Sequence, residues 1–204
     1  MNENEVIEIN KKLVERYPFL LPRNVWTDKL DEDYNYEYTR YDDISTGWKI
    51  GFGEFLLEDL RDALVKTNYL DKFRFTQIKE NYGSLRMYTN GNPEEVYDVI
   101  QKYEFISEYI CYKCGSPHAC VVDDYGWYLP LCKDCWDKAN KLREEKRYKT
   151  ISYEKAVGKN LCELPDSYTI KRYSYGGYED IVYDISDTAQ KIREAYKARK
   201  ENKC

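Results

Sequence analysis

Apolar residues recur over the first sixteen positions at helical spacing. Val6, Ile9, Leu13 and Val14 share one face, which predicts a helix over residues 3–16 that Pro18 and Pro22 end. Residues 23–47 carry no clear period and predict a long surface loop with room for one short strand. After Gly47-Trp48 the helical period returns. Phe52, Leu56, Leu60, Ala63 and Leu64 form an apolar stripe, predicting a helix from about Gly51 to Thr67. Alternation takes over from Lys72 to Ile78, with Phe73 and Phe75 on one face, and resumes through Leu85, Met87 and Thr89. Asn81-Tyr-Gly83-Ser between them is turn chemistry, so the two segments read as a hairpin. Gly91-Asn-Pro93 closes it and sets Pro93 in the first turn of a helix to about Ile110, with Val96, Ile100, Tyr103, Ile106 and Ile110 inward.

The second half repeats the theme on a smaller scale. Ala119–Val122 and Gly126–Leu131 read as short strands joined at Asp123-Asp124-Tyr125, followed by a helix from Lys133 to about Tyr148. Tyr168–Tyr173 and Tyr178–Ile185 flank the turn signal Ser174-Tyr-Gly176-Gly177. Asp187 then caps a terminal helix bearing Ala189, Ile192, Tyr196 and Arg199 along one side. The pattern predicts an α+β chain in three parts: a helix and hairpin domain over 1–110, a small module over 111–149, and a C-terminal hairpin and helix over 150–204 packed on that module.

Four cysteines give the middle part its chemistry. Cys111-Tyr-Lys-Cys114 and Cys132-Lys-Asp-Cys135 stand seventeen residues apart, the spacing of a closed four-thiolate site. Gly115 follows the first pair where a knuckle needs positive φ. The expected ion is Zn²⁺, and the order knuckle, hairpin, then helix with ligands in its first turn describes a treble clef. The plainer alternative is four reduced or disulfide-paired structural cysteines. Four thiolates saturate a tetrahedral ion and leave no position for an activated water, so the expected role is to hold structure. His118 and Cys120, between the pairs, are the candidates for a substitute ligand or a supporting contact.

Composition narrows the function classes. The chain has 204 residues, a net charge of −5, one histidine and seven cysteines. Fourteen basic against twenty-two acidic side chains leave residues 1–110 at −8; eighteen against fifteen leave residues 111–204 at +3. A uniformly basic surface is absent. No apolar run approaches the roughly 18 residues of a membrane span, no secretory signal opens the chain, and Cys120, Cys162 and Cys204 cannot all pair, so a reducing cytoplasm is expected. No G-x-S-x-G, Walker loop or G-x-G-x-x-G occurs. Zinc nucleases of the HNH type need histidines beside the metal, which His118 alone does not supply. The chain is therefore expected not to be an enzyme.

Three segments carry a resemblance. Gly47-Trp48 ahead of the helix Phe52 to Val65 is the first, and Ile78-Lys-Glu-Asn-Tyr-Gly-Ser-Leu-Arg-Met-Tyr88 is the second. The third is Tyr103-Glu-Phe-Ile-Ser107 leading into Cys111-Tyr-Lys-Cys-Gly115, with Gly126-Trp127 before Leu131-Cys132-Lys-Asp-Cys135. Together, over roughly residues 47–138, they resemble a family of uncharacterised phage and prophage zinc-finger proteins. In that family the middle segment reads Val-Lys-Glu-Lys-Phe-Gly-x-Leu-Arg-Phe-Tyr, and the last cysteine is often histidine. Cys135 in that place keeps a metal ligand. The resemblance implies a zinc module and a phage or prophage origin, hence the cytoplasm of an infected or lysogenic bacterial host. It implies no activity.

Three further groups are candidates for binding. Lys79, Tyr82 and Arg86 put two cations and a ring near one turn, suited to gripping a phosphate or carboxylate while stacking on a base; alternatively Glu80 pairs with Arg86 and Gly83 serves the turn. Lys141, Arg143, Lys146 and Arg147 on the helix after the quartet are candidates for nucleic-acid phosphates, although Glu144 and Glu145 are interleaved as on any solvated face. Asp31, Asp33, Asp42 and Asp43 lie among Tyr34, Tyr36, Tyr38 and Tyr41, and acids on a tyrosine-bearing surface imitate a phosphate backbone. That surface suits an inhibitor of a host defence nuclease, of anti-CRISPR or another anti-defence type. Its plain alternatives are a solvated acidic loop and tyrosine-rich codon usage. The expected partner is a host or phage protein or a nucleic acid, and no membrane.

Overall fold

The computed structural model describes residues 2–24, 26–158, 160, 162–174 and 177–202. Helix α1 (Glu3–Arg16) starts with a reciprocal cap: Asn2 Oδ1 accepts from the Glu5 N–H and the Glu5 carboxylate accepts from the Asn2 N–H, each at 2.9 Å. Its inward face runs through Asn10 and Val14. Asn10 Nδ2 donates to the Tyr36 carbonyl at 2.8 Å, and the expected core residue Ile9 is turned out, 51% exposed. Pro18 opens a 3₁₀ turn, Pro18–Leu20, that drops Phe19 and Leu20 into the core. The described residues between 23 and 47 form no strand. They end in a second 3₁₀ turn, Arg40–Asp43, where Asp42 accepts from the Thr39 N–H at 2.8 Å.

A single helical rod follows: α2 (Thr46–Trp48), a π turn over Lys49–Gly53, and α3 (Glu54–Lys66). Leu56, Leu57, Leu60 and Leu64 bury the inner face of α3. The antiparallel strands β1 (Phe75–Asn81) and β2 (Ser84–Thr89) meet at Tyr82 and Gly83, both at positive φ (51° and 82°), the two-residue turn that matches strand twist. Pro93 caps α4 (Glu94–Ser107), which buries Val96, Ile100, Tyr103 and Ile106 as its period requires.

After the first cysteine pair come β3 (Cys120–Asp124) and β4 (Trp127–Leu131), again antiparallel and again joined through two positive-φ residues, Tyr125 and Gly126. Next are α5 (Lys133–Glu145), the short α6 (Tyr153–Val157), the hairpin β5 (Ser167–Ser174) and β6 (Gly177–Asp184), and α7 (Ser186–Glu201). The turn residues 175–176 lie outside the described residues. The cap of α7 differs from expectation: Asp184 Oδ1 accepts from the Ser186 N–H at 2.8 Å, and Asp187 already sits in the first turn. The architecture is α+β, with three separate two-stranded hairpins among the helices of the described residues and a four-cysteine module of treble-clef order.

Two cores organise these pieces. The larger gathers α3, α4 and the first hairpin, with Phe19, Phe73 and Phe75 in edge-to-face contact. It also takes in Tyr168, Ile185, Ala189 and Ile192 from the C-terminal segment. The C-terminal hairpin therefore packs on the N-terminal half rather than on the cysteine module. Phe105, Tyr168 and Tyr183 stack in sequence at 4.6 and 5.1 Å, and Arg172 reaches Glu94 and Asp98 on α4. The smaller core centres on Trp136, with Val122, Leu131, Tyr153, Ala156 and Val157 around it.

Candidate metal centre

The chain reaches the first knuckle directly from the end of α4. There the Cys111 N–H donates to the Ser116 carbonyl at 2.8 Å and the Gly115 N–H donates back to the Cys111 carbonyl at 2.9 Å, folding the loop tightly. Gly115 takes φ 72°, as its place after the pair predicts. The second pair is set by α5: Cys132 is its N-cap residue and Cys135 lies in its first turn, so two thiols stand at the positive end of a helix dipole. Tyr112 N–H to the Pro130 carbonyl, 2.8 Å, ties the first knuckle to the strand leading into the second.

These constraints bring Cys111, Cys114, Cys132 and Cys135 together with all four sulfurs within 4.8 Å of one another, Cys114 and Cys132 at 3.6 Å. A tetrahedral ion with metal–sulfur bonds of about 2.3 Å sets sulfur–sulfur edges of about 3.8 Å, so the donor set fits a metal ion. Cys111 and Cys132 are buried, Cys135 is half-buried and Cys114 is exposed. Hydrogen bonds from Cys114 and then Cys132 draw the Cys111 thiol down to about 2, whereas burial pushes Cys135 up to about 12.

The knuckle is mounted on the N-terminal core by backbone contact. A Cβ on Gly47 would sit 2.1 Å from the Cys111 carbonyl oxygen, and one on Gly115 would sit 2.7 Å from the Gly47 oxygen. The Gly47 N–H donates to the Tyr112 carbonyl at 3.0 Å, and Trp48 Nε1 reaches the carbonyls of Ser107 and Ile110 at 3.0 and 3.1 Å. On the other side, Trp136 Nε1 donates to the Ile151 carbonyl at 3.0 Å and the Tyr153 hydroxyl to the Leu131 carbonyl at 2.9 Å.

The other candidates fall in several places. His118 is not among the four clustered ligands and makes an edge contact with Tyr196, ring centroids 5.9 Å apart. Cys120 forms a disulfide with Cys162, Cα atoms 4.7 Å apart, so two of the three leftover cysteines are paired and the set carries no case for a reducing compartment; Cys204 lies outside the described residues. The trio on the first hairpin divides. Arg86 pairs with Glu104 at 2.9 Å, Glu80 instead accepts from the Gly83 N–H at 2.7 Å, and Lys79 lies 5.2 Å over the Tyr88 ring. Tyr82, 77% exposed, joins Trp127 and Tyr128 around a cleft of about 310 Å³ between the first two hairpin tips. On α5, Arg143 is engaged with Asp124 and lies over the Trp136 ring. Lys141, Lys146 and Arg147 make no ion pair among the described residues. In the acidic segment, Asp42 caps Thr39 and meets Lys49, and Asp43 accepts from the Tyr38 hydroxyl at 2.6 Å; Asp31 and Asp33 stay exposed.

The periodic reading does not show what α7 does at its far end. Arg199 and Lys200 come beside Lys113 and Lys138 at a pocket of about 410 Å³ next to Cys114 and Cys135. The signal in the sequence was only a run of basic residues, and nothing there tied it to a knuckle some 85 positions earlier. None of the described helices is long and apolar enough to cross a membrane. No protein-family model matches the chain, and no curated protein or solved structure matches it either.

Proposed function

We propose that the chain is a non-catalytic, zinc-stabilised recognition protein of phage or prophage type that associates with nucleic acid through α5. The observation that carries this reading is the closed thiol quartet, from which α5 projects with Lys141 on it and Lys146 and Arg147 just past its end, none of the three in an ion pair among the described residues. Cysteine sulfur in tetrahedral order favours Zn²⁺ over harder ions. When bound, the ion supplies a crosslink between two turns and no open position for chemistry. Cys111 and Cys114 hold the knuckle against Gly47, and Cys132 and Cys135 fix the start of α5. Three phosphate contacts set a salt dependence of about −3 in log K against log salt. Fluorescence anisotropy with a labelled DNA or RNA duplex, from 50 to 300 mM salt, tests this. A slope near zero, or no binding at the lowest salt, sinks the nucleic-acid reading. The expected setting is a bacterial host cytoplasm, where the Cys120–Cys162 bond is the reducible element.

A second reading is favoured by Trp26, 93% exposed beside the acidic segment that carries Asp31 and Asp33. An exposed indole a few residues before exposed carboxylates suits a basic partner, as an inhibitor of a host defence nuclease would require. The test is capture of a basic host protein that is lost on reversing Asp31 and Asp33 to lysine. Asp42 and Asp43 are poor choices for that reversal, because both hold local structure.

A further inference from the structure

We infer that the pocket where α7 meets the first knuckle is an oxyanion site that takes a phosphate group. Three distant segments build it: Lys113 from the knuckle, Lys138 from α5, and Arg199 and Lys200 from α7, with Tyr196 and Asp134 beside them. None of the four cations is in a salt bridge among the described residues. Lys113 and Lys200 rest only against the faces of Tyr112 and Tyr196, at 5.7 and 5.3 Å. The decisive atom is Arg199 Nη2, which is buried and has no hydrogen-bond partner among the described residues. A buried guanidinium donor without an acceptor is costly, so such groups normally meet an anion.

The nearby sulfurs do not supply that acceptor. Four thiolates on a divalent ion carry two negative charges, and four cations against Asp134 carry three positive ones, so the corner keeps an excess of one positive charge. Arg199 Nη2 makes no hydrogen bond to any of the four sulfurs. A tetrahedral oxyanion fits a guanidinium fork with ammonium groups around it. The phosphate belongs either to a nucleic-acid strand or to a free phosphate compound. The inference goes beyond the α5 reading and stands without it.

The test uses the metal-loaded full chain titrated with inorganic pyrophosphate, followed by calorimetry. Saturable binding is expected, weakened at least tenfold by Arg199→Gln and unchanged by Lys66→Gln on the exposed face of α3, with metal content the same in all three proteins. An oligonucleotide that displaces pyrophosphate assigns the phosphate to a strand, and one that binds without displacing it assigns a free phosphate compound. Pyrophosphate binding without any oligonucleotide binding leaves the site standing and removes the α5 reading. Absence of saturable binding overturns the site, and so does an Arg199→Gln protein that binds equally well. If Arg199→Gln fails to fold, the exposed Lys200→Gln carries the same comparison. A wild type that ignores pyrophosphate while Arg199→Gln sheds its metal assigns the cations to charge balance alone, which also overturns the site.

Discussion

At the residue scale, glycine separates two kinds of constraint. Gly47 is required by its neighbours, since any Cβ there meets the Cys111 carbonyl at 2.1 Å. Gly126 is required only by its own φ of 93°, with nothing within 4 Å of an added Cβ. Gly47→Ala is therefore expected to cost about 3 kcal/mol through forced backbone displacement, and Gly126→Ala about 1 kcal/mol. Urea unfolding of both variants measures the ordering, and equal losses would contradict it. Glu108 gives a pH-dependent case. Burial raises its pKa above the ordinary 4.5, with Arg86 opposing, so the folded state disfavours its charge. The deficit is absent below pH 4.5, where folded and unfolded chains are both protonated, and grows as pH rises through the folded value. Glu108→Gln should accordingly raise Tm at pH 7 and make no difference at pH 3.5.

At the scale of elements, long periodic segments were legible and short or contact-made ones were not. The stripe Leu56, Leu60 and Leu64 announces α3, and the strand alternation around Asn81–Ser84 announces the first hairpin, because each buries one face along its whole length. The quartet was legible from spacing alone, since two-residue gaps fix how close two sulfurs come. Helix α6 was missed because five residues show no period; what positions it is the Tyr153 hydroxyl on the Leu131 carbonyl. The π turn over Lys49–Gly53 has no signature in apolar spacing; it lies against the knuckle, where a Cβ on Gly115 would sit 2.9 Å from Gly51 N. Ile9 and Asn10 exchange their expected places through one bond to Tyr36, a partner 26 residues away. The Cys120–Cys162 bridge belongs to this scale, since it ties β3 to the segment after α6 across a separation of 42 residues. Loop entropy assigns such a crosslink about 4 kcal/mol. Cys162→Ser should lower unfolding stability by that order under oxidising conditions and match wild type under strong reduction.

At the scale of the molecule, the cysteine module and the larger core share a boundary of main chain. Gly47 and Gly115 bring main chain against main chain there, and the Trp48 and Tyr112 rings meet edge-on beside them at 5.3 Å. Metal removal should therefore reach past the module. Hydrogen exchange after chelation is expected to show faster exchange in α5 and in the Thr46–Gly53 turn, while the α4 amides near Val96 and Ile100 remain protected. Confinement of the change to residues 111–149 would contradict a rigid joint.

The same joint gives the protein a built-in optical reporter. Trp48 in the larger core and Trp136 in the smaller are fully buried, each held by its indole N–H to a main-chain oxygen, whereas Trp26 and Trp127 are bathed in solvent. Emission should thus have a short-wavelength component from the first pair and a long-wavelength background from the second. Titrating zinc into the apoprotein ought to shift the spectrum to the blue with an endpoint at one equivalent, so metal loading can be followed without any label.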